Sequence, residues 1–168
     1  MLHTPRLMID PLTEDDAPFM LALLNDPDFI EHIADRGVRT LDQARQYLRD
    51  GPLTSYRENG FGLWAVRPCE GGEPLGICGL VQRPTLSDVD IGYGFLPAGR
   101  GRGLALEAAQ AVLDYARGPL GLKRLVAIVT PANRASRSLL DHLGFAYESM
   151  IQLTPEAEAL CLYGWEGA

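Results

Sequence analysis

Six consecutive residues, Arg100-Gly101-Arg102-Gly103-Leu104-Ala105, combine glycine and arginine in a way that suits one kind of chemistry, the binding of phosphate. They stand between a segment that reads as a strand ending near Leu96-Pro97 and an amphipathic helix beginning near Gly103. Gly99, Gly101 and Gly103 let the backbone turn tightly and approach a ligand closely. The first N–H groups of a helix have no partner within it, and the helix dipole favours an anion in front of them. Arg100 and Arg102 add positive charge, and an arginine can fork two phosphate oxygens. The pattern therefore predicts a pyrophosphate site. It is neither of two familiar kinds, because no GxxxxGK[ST] string occurs and the dinucleotide fingerprint fails. Read from Gly101, that fingerprint meets Leu106 at its third position; read from Gly99 it meets Leu104. Taken alone, the string also fits a glycine-rich surface turn ahead of a helix.

The surrounding elements follow from periodicity and punctuation. Thr4 to Asp10 alternates and stops at Pro11, as a first strand would. Thr13 caps a helix with acids in its first turn, and Phe19, Met20, Leu23 and Leu24 face inward before Asn25-Asp26-Pro27. A looser helical region follows, clearest from Thr40 to Asp50, where Leu41, Ala44, Tyr47 and Leu48 share a face. Three strands are expected next: Gly62 to Arg67, Pro74 to Arg83 and Val89 to Leu96. The turn residues of Cys69 to Glu73 join the first two. After the arginine–glycine loop, Ala105, Ala109, Val112 and Ala116 form one stripe of a helix that Gly118-Pro119 ends. Leu125 to Val129 reads as a strand buried on both faces. Asn133 caps a short helix lined by Leu139, Leu140 and Leu143, and Phe145 to Leu153 and Leu160 to Trp165 form a final strand pair. The order β-α-α-β-β-β-α-β-α-β-β is that of an α+β domain with a mixed sheet.

The 168 residues are enough for one domain with one core, expected over 1–168. No apolar run reaches the roughly 20 residues that span a membrane, and the opening MLHTPRLMID has no secretory h-region. Cys69, Cys78 and Cys161 make no zinc framework and read as reduced thiols of a cytoplasmic protein; no metal is expected. A net charge of -7 argues against a nucleic-acid partner and mildly favours a cationic one. His3, His32 and His142 show no ligand spacing, and Trp64, Phe95 and Phe145 read as core.

Two motifs read together carry a resemblance. RGRGLA is similar to the R/Q-x-x-G-x-G/A signature of the GNAT acetyltransferase superfamily. Asn133 to Phe145, NRASRSLLDHLGF, resembles its second motif, N-x-x-S ending in L-G-F. The opening TPRLMIDPLTEDD is similar to the RimJ/RimL-like branch, the ribosomal-protein acetyltransferases. The resemblance implies the GNAT fold, a mostly antiparallel central sheet splayed at its middle, with about four helices. The splay would lie between Val89–Leu96 and Leu125–Val129 and hold the pantetheine of acetyl-CoA. Backbone amides from Gly101 to Ala105 would take the pyrophosphate, Asn133 would touch the pantetheine arm, and Ser136 would stand near the thioester sulfur.

Acetyl transfer to an amine needs a proton acceptor, donors for the oxyanion, and a group to meet the leaving thiolate. Many members of the superfamily supply a tyrosine where this chain has Leu140, so the resemblance moves that role to Ser136. Ser136 equally suits a first-turn hydroxyl that satisfies backbone groups. Backbone N–H groups around Gly92 to Gly94 are the oxyanion candidates, and Asp90, Glu148 or a water chain is the candidate base. The acceptor would be a primary amine, either a protein N-terminus or a small molecule, and relatives of this branch suggest a homodimer. The competing expectation is a non-catalytic coenzyme-A-binding module of the same fold.

Overall fold

The computed structural model describes residues 1–167; Ala168, the end of the expected domain, lies outside the described residues. One eight-stranded sheet runs through the molecule in the order β1-β2-β3-β4-β5-β6-β8-β7. Its strands are Leu2–His3 (β1), Leu7–Pro11 (β2), Leu63–Pro68 (β3), Gly76–Val81 (β4), Asp90–Phe95 (β5), Arg124–Val129 (β6), Ala146–Ile151 (β7) and Leu160–Glu166 (β8). All neighbours are antiparallel except β5 and β6. The expected first strand, Thr4 to Asp10, forms only from Leu7 on, because the turn ahead of it contains Pro5. That residue has no N–H to give a ladder, and Thr4 closes a turn instead, its hydroxyl accepting from the Leu7 amide at 2.9 Å.

The helices are Ala17–Leu24 (α1), Pro27–His32 (α2), Leu41–Leu48 (α3), Thr54–Asn59 (α4), Leu104–Arg117 (α5) and Arg134–His142 (α6). A π-helical turn, Arg49–Leu53, joins α3 to α4, and Pro52 lies inside it. Proline cannot donate to the carbonyl four residues back, so the wider turn carries the chain past it without a break. The described residues thus hold five helical rods. Thr13 and Thr40 both stand in capping boxes, with Asp16 and Gln43 as the reciprocal partners. The looser region after Asn25 contains α2, whose cap Asp26 accepts from the Phe29 amide at 3.3 Å.

Alternation divides the core between the two faces of the sheet. Val66, Cys78, Leu80, Ile91 and Phe95 face α5, whose Ala108, Ala109 and Ala116 are fully buried. Small residues there let the helix sit close to the sheet. Ala65 and Ile77 point the other way, against Leu12, Met20, Leu23, Ala44 and Leu48 of the α1–α3 layer. Ladder pairing between β5 and β6 is limited to one position, Asp90 opposite Val126. Beyond it the strands part, and the sheet opens at its middle.

Candidate active site

A cavity of about 690 Å³ fills the opening between β5 and β6. Its wall runs from Gly101 and Gly103 to Leu106 at one end, past Tyr93, Thr130 and Ser136, to Leu153 and Leu160. The loop at its head has the conformation that the glycines allow. Gly101 and Gly103 adopt φ of 76° and 75°, and Gly103 is the residue immediately before α5. No side chain caps α5, so its leading amides are free to meet a ligand.

The arginines of the loop have other partners. Arg100 donates through Nε to the Phe95 carbonyl at 3.0 Å and forks onto Asp28, at 2.7 Å, and Asp26. Arg102 donates to the Ala98 carbonyl at 2.7 Å, and Arg6 holds the Arg102 carbonyl at 2.8 Å while also pairing with Glu107 at 2.8 Å. These contacts tie the loop to α2, to the turn before β2 and to α5. Arg100 still lines the cavity, together with Gly101, Gly103 and Leu104, whereas Arg102 does not.

Asn133 caps α6 through Oδ1, which accepts from the Ser136 amide at 3.2 Å, and both residues line the cavity. Ser136 Oγ lies 2.7 Å from the hydroxyl of Tyr93 on β5. Tyr93 is mostly buried, and desolvation pushes its phenol up to about 12. Asp90, Gly92 and Gly94 occupy the opposite face of β5. A Cβ on Gly94 would stand 3.3 Å from the Phe29 ring, so the α1–α3 layer closes over this face. Thr130 Oγ1 is buried without a partner among the described residues, a hydroxyl that a polar ligand in the cavity would satisfy.

Asp90 also lines the cavity, 1% exposed and paired with Arg83 at 3.2 Å. Burial outweighs that pairing and raises its carboxyl to about 6. Between about pH 4 and 6 the folded chain therefore holds a proton that the unfolded chain has released, so stability falls as pH rises through this window. The charged form costs about 3 kcal/mol above it. Asp90→Asn should lack this loss. In urea titrations the variant should gain on the wild type between pH 4.5 and 7.5; a constant difference would reject the assignment.

Glu148 is placed elsewhere. It is exposed on β7 and bidentate with Arg124, at 2.7 and 2.9 Å, which holds its carboxyl below the usual range. It does not line the cavity. Leu140 is buried at 1% and belongs to the core. His142 is exposed, with Nδ1 at 2.8 Å from the Ser138 carbonyl. His32 stands on the cavity rim beside Asp28 and Glu31, their ligand atoms within 4.8 Å of one another, although Asp28 is engaged by Arg100. Sequence reasoning missed Tyr93, Arg83 and Thr130. Only Tyr93 had a legible signal, an aromatic between two glycines on the strand expected to border the splay.

Comparison with known proteins agrees with this geometry. The model of the acetyltransferase (GNAT) domain matches residues 6–146. The uncharacterized protein YkkB of Bacillus subtilis is 31% identical over 156 residues, covering 90% of this chain and 88% of that protein. An acetyltransferase structure from Agrobacterium tumefaciens str. C58 superposes with a TM-score of 0.80 at 26% identity, covering 98% of this chain and 93% of that one. RimL, a ribosomal L7/L12 alpha-N-protein acetyltransferase solved in complex with coenzyme A, shares the fold with a TM-score of 0.81 at 17% identity, covering 97% and 95%. No helix among the described residues is long and apolar enough to cross a membrane.

Proposed function

Because the chain belongs to the GNAT acetyltransferase family and is an acyl-CoA-dependent N-acetyltransferase, we propose that it transfers the acetyl group of acetyl-CoA to a primary amine by direct attack in a ternary complex. The acceptor is a protein N-terminus or a small-molecule amine. The observation that carries this reading is the parting of β5 and β6 after a single paired position, with a cavity reaching both faces of β5. A thioester lying in that opening presents its carbonyl carbon to one face while its sulfur lies toward the other.

The α1–α3 face holds Asp90, which accepts the amine's proton directly or through water once it is ionised. Gly92 to Gly94 offer backbone N–H groups to the oxyanion, and Gly92 and Gly94 line the cavity beside Leu63 and Phe29. On the other face Ser136 meets the sulfur. Amides of Gly101 to Ala105 hold the pyrophosphate, and Asn133 and Thr130 line the pantetheine arm. The position of Glu148 outside the cavity favours Asp90 or a water chain as the proton acceptor.

The test is thiol release from acetyl-CoA across a panel of peptide N-termini, amino acids, polyamines and aminoglycoside-like amines, with calorimetry of coenzyme A binding beside it. Acceptor-dependent release with an N-acetyl product supports the reading. Tight binding of coenzyme A with no turnover on any amine favours a binding module instead.

A further inference from the structure

The sequence places Leu140 where a phenol is expected, and the structure brings a different phenol to the same helix. Tyr93 reaches from β5 across the opening of the sheet to the first turn of α6, and its hydroxyl stands 2.7 Å from Ser136 Oγ. Leu140 is one helical turn after Ser136 and is buried in the core. We propose that Tyr93 is a positioning residue for acetyl transfer: its hydroxyl donates to Ser136 Oγ and so turns the serine's own proton into the cavity, toward the departing sulfur. The inference rests on the acetyl-transfer reading given above.

Three observations support it. First, Ser136 is not used as a helix cap, because Asn133 already satisfies the Ser136 amide. Second, a helical serine commonly returns its hydroxyl to a carbonyl in the preceding turn; here the hydroxyl has Tyr93 as its side-chain partner instead. Third, a phenol is the more acidic of the two hydroxyls and hence the better donor, and its other acceptor, the Ser136 carbonyl, is farther off at 3.4 Å, so the favoured arrangement is Tyr93 to Ser136 Oγ. Burial keeps the phenol neutral across the working range.

The step balances as follows. The amine nitrogen forms the new C–N bond, the C–S bond breaks, and its electron pair goes to sulfur. The proton leaving the amine goes to Asp90 or to water. The sulfur departs as a thiolate held by the Ser136 hydroxyl and later takes a proton from solvent. A thiol has a pKa of about 8.5, far below that of either hydroxyl, so neither Tyr93 nor Ser136 loses its proton.

Tyr93→Phe keeps the ring in the core and removes only the hydroxyl. The expected result is a kcat lowered on the order of tenfold, the worth of one such hydrogen bond, with the KM for acetyl-CoA within about twofold of wild type. Ser136→Ala should lower kcat at least as much, and the double variant should be no slower than Ser136→Ala. An acetyl thioester of an arenethiol, whose sulfur departs without help, should reduce the Tyr93→Phe defect. Wild-type kcat in Tyr93→Phe, losses that multiply in the double variant, or a defect indifferent to the leaving group would each overturn the proposal. A wild-type chain inert on every amine would instead remove the acetyl-transfer reading itself.

Discussion

Gly103→Val is expected to raise the KM and Kd for acetyl-CoA by tenfold or more while leaving kcat at saturation far less changed. Gly103 has a φ of 75° and is the last residue before α5. A β-branched side chain is a strong outlier in that region, with a cost of roughly 1–3 kcal/mol. The chain relieves the strain by rotating the peptide that precedes α5, which turns the leading amides away from the cavity. The contact that a Cβ would make, 3.6 Å to Arg6 Nη2, is ordinary, so the effect comes from backbone conformation rather than from a clash. Calorimetric titration with coenzyme A measures it. An unchanged Kd would show that the loop does not hold the pyrophosphate.

Gly79→Ala is expected to be the most destabilising single methyl in the sheet, at more than about 3 kcal/mol. An added Cβ would stand 2.1 Å from the Gly62 carbonyl oxygen and 2.8 Å from Leu63 Cα. Both are backbone atoms, so no flexible side chain can swing aside, and β3 and β4 must separate. β4 also carries β5 through a six-position antiparallel register, Gly76 opposite Phe95 to Val81 opposite Asp90. The damage therefore reaches the wall of the cavity. Denaturant titration should show the loss at every pH, unlike the pH-dependent difference expected for Asp90→Asn; wild-type stability would refute the close approach.

Much of the molecule is legible in its sequence because caps, turns and periodicity act between residues close in the chain. Thr13, Thr40 and Asn133 cap helices as their types suggest. The alanine stripe of α5 faces the sheet, and Leu125 to Val129 lies in an interior strand between β5 and β8. The late start of the first strand, at Leu7 rather than Thr4, was less legible, since the alternation hides a turn whose hydrogen bonds come from Thr4. The π-helical turn at Pro52 was hidden as well, because a proline usually marks a helix end.

By itself, then, the sequence determined the α+β class and, through the motifs at Arg100 to Ala105 and Asn133 to Phe145 read together, the acetyltransferase family. It also determined that the usual phenol is absent at Leu140. Only the tertiary structure decided which partners the charged and hydroxyl groups meet. Arg100 reads along the chain as a phosphate ligand; in the fold Asp26 and Asp28 pair with it at the edge of the cavity that it also lines. Asp90 and Glu148 look alike along the chain, yet one is buried at the opening of the sheet and the other is exposed beside Arg124. Tyr93 and Ser136 are 43 positions apart and meet because β5 and α6 flank the same gap. The physical reason is range: conformation is set by neighbours in sequence, whereas burial, ion pairing and the direction of a hydroxyl's proton are set by neighbours in space.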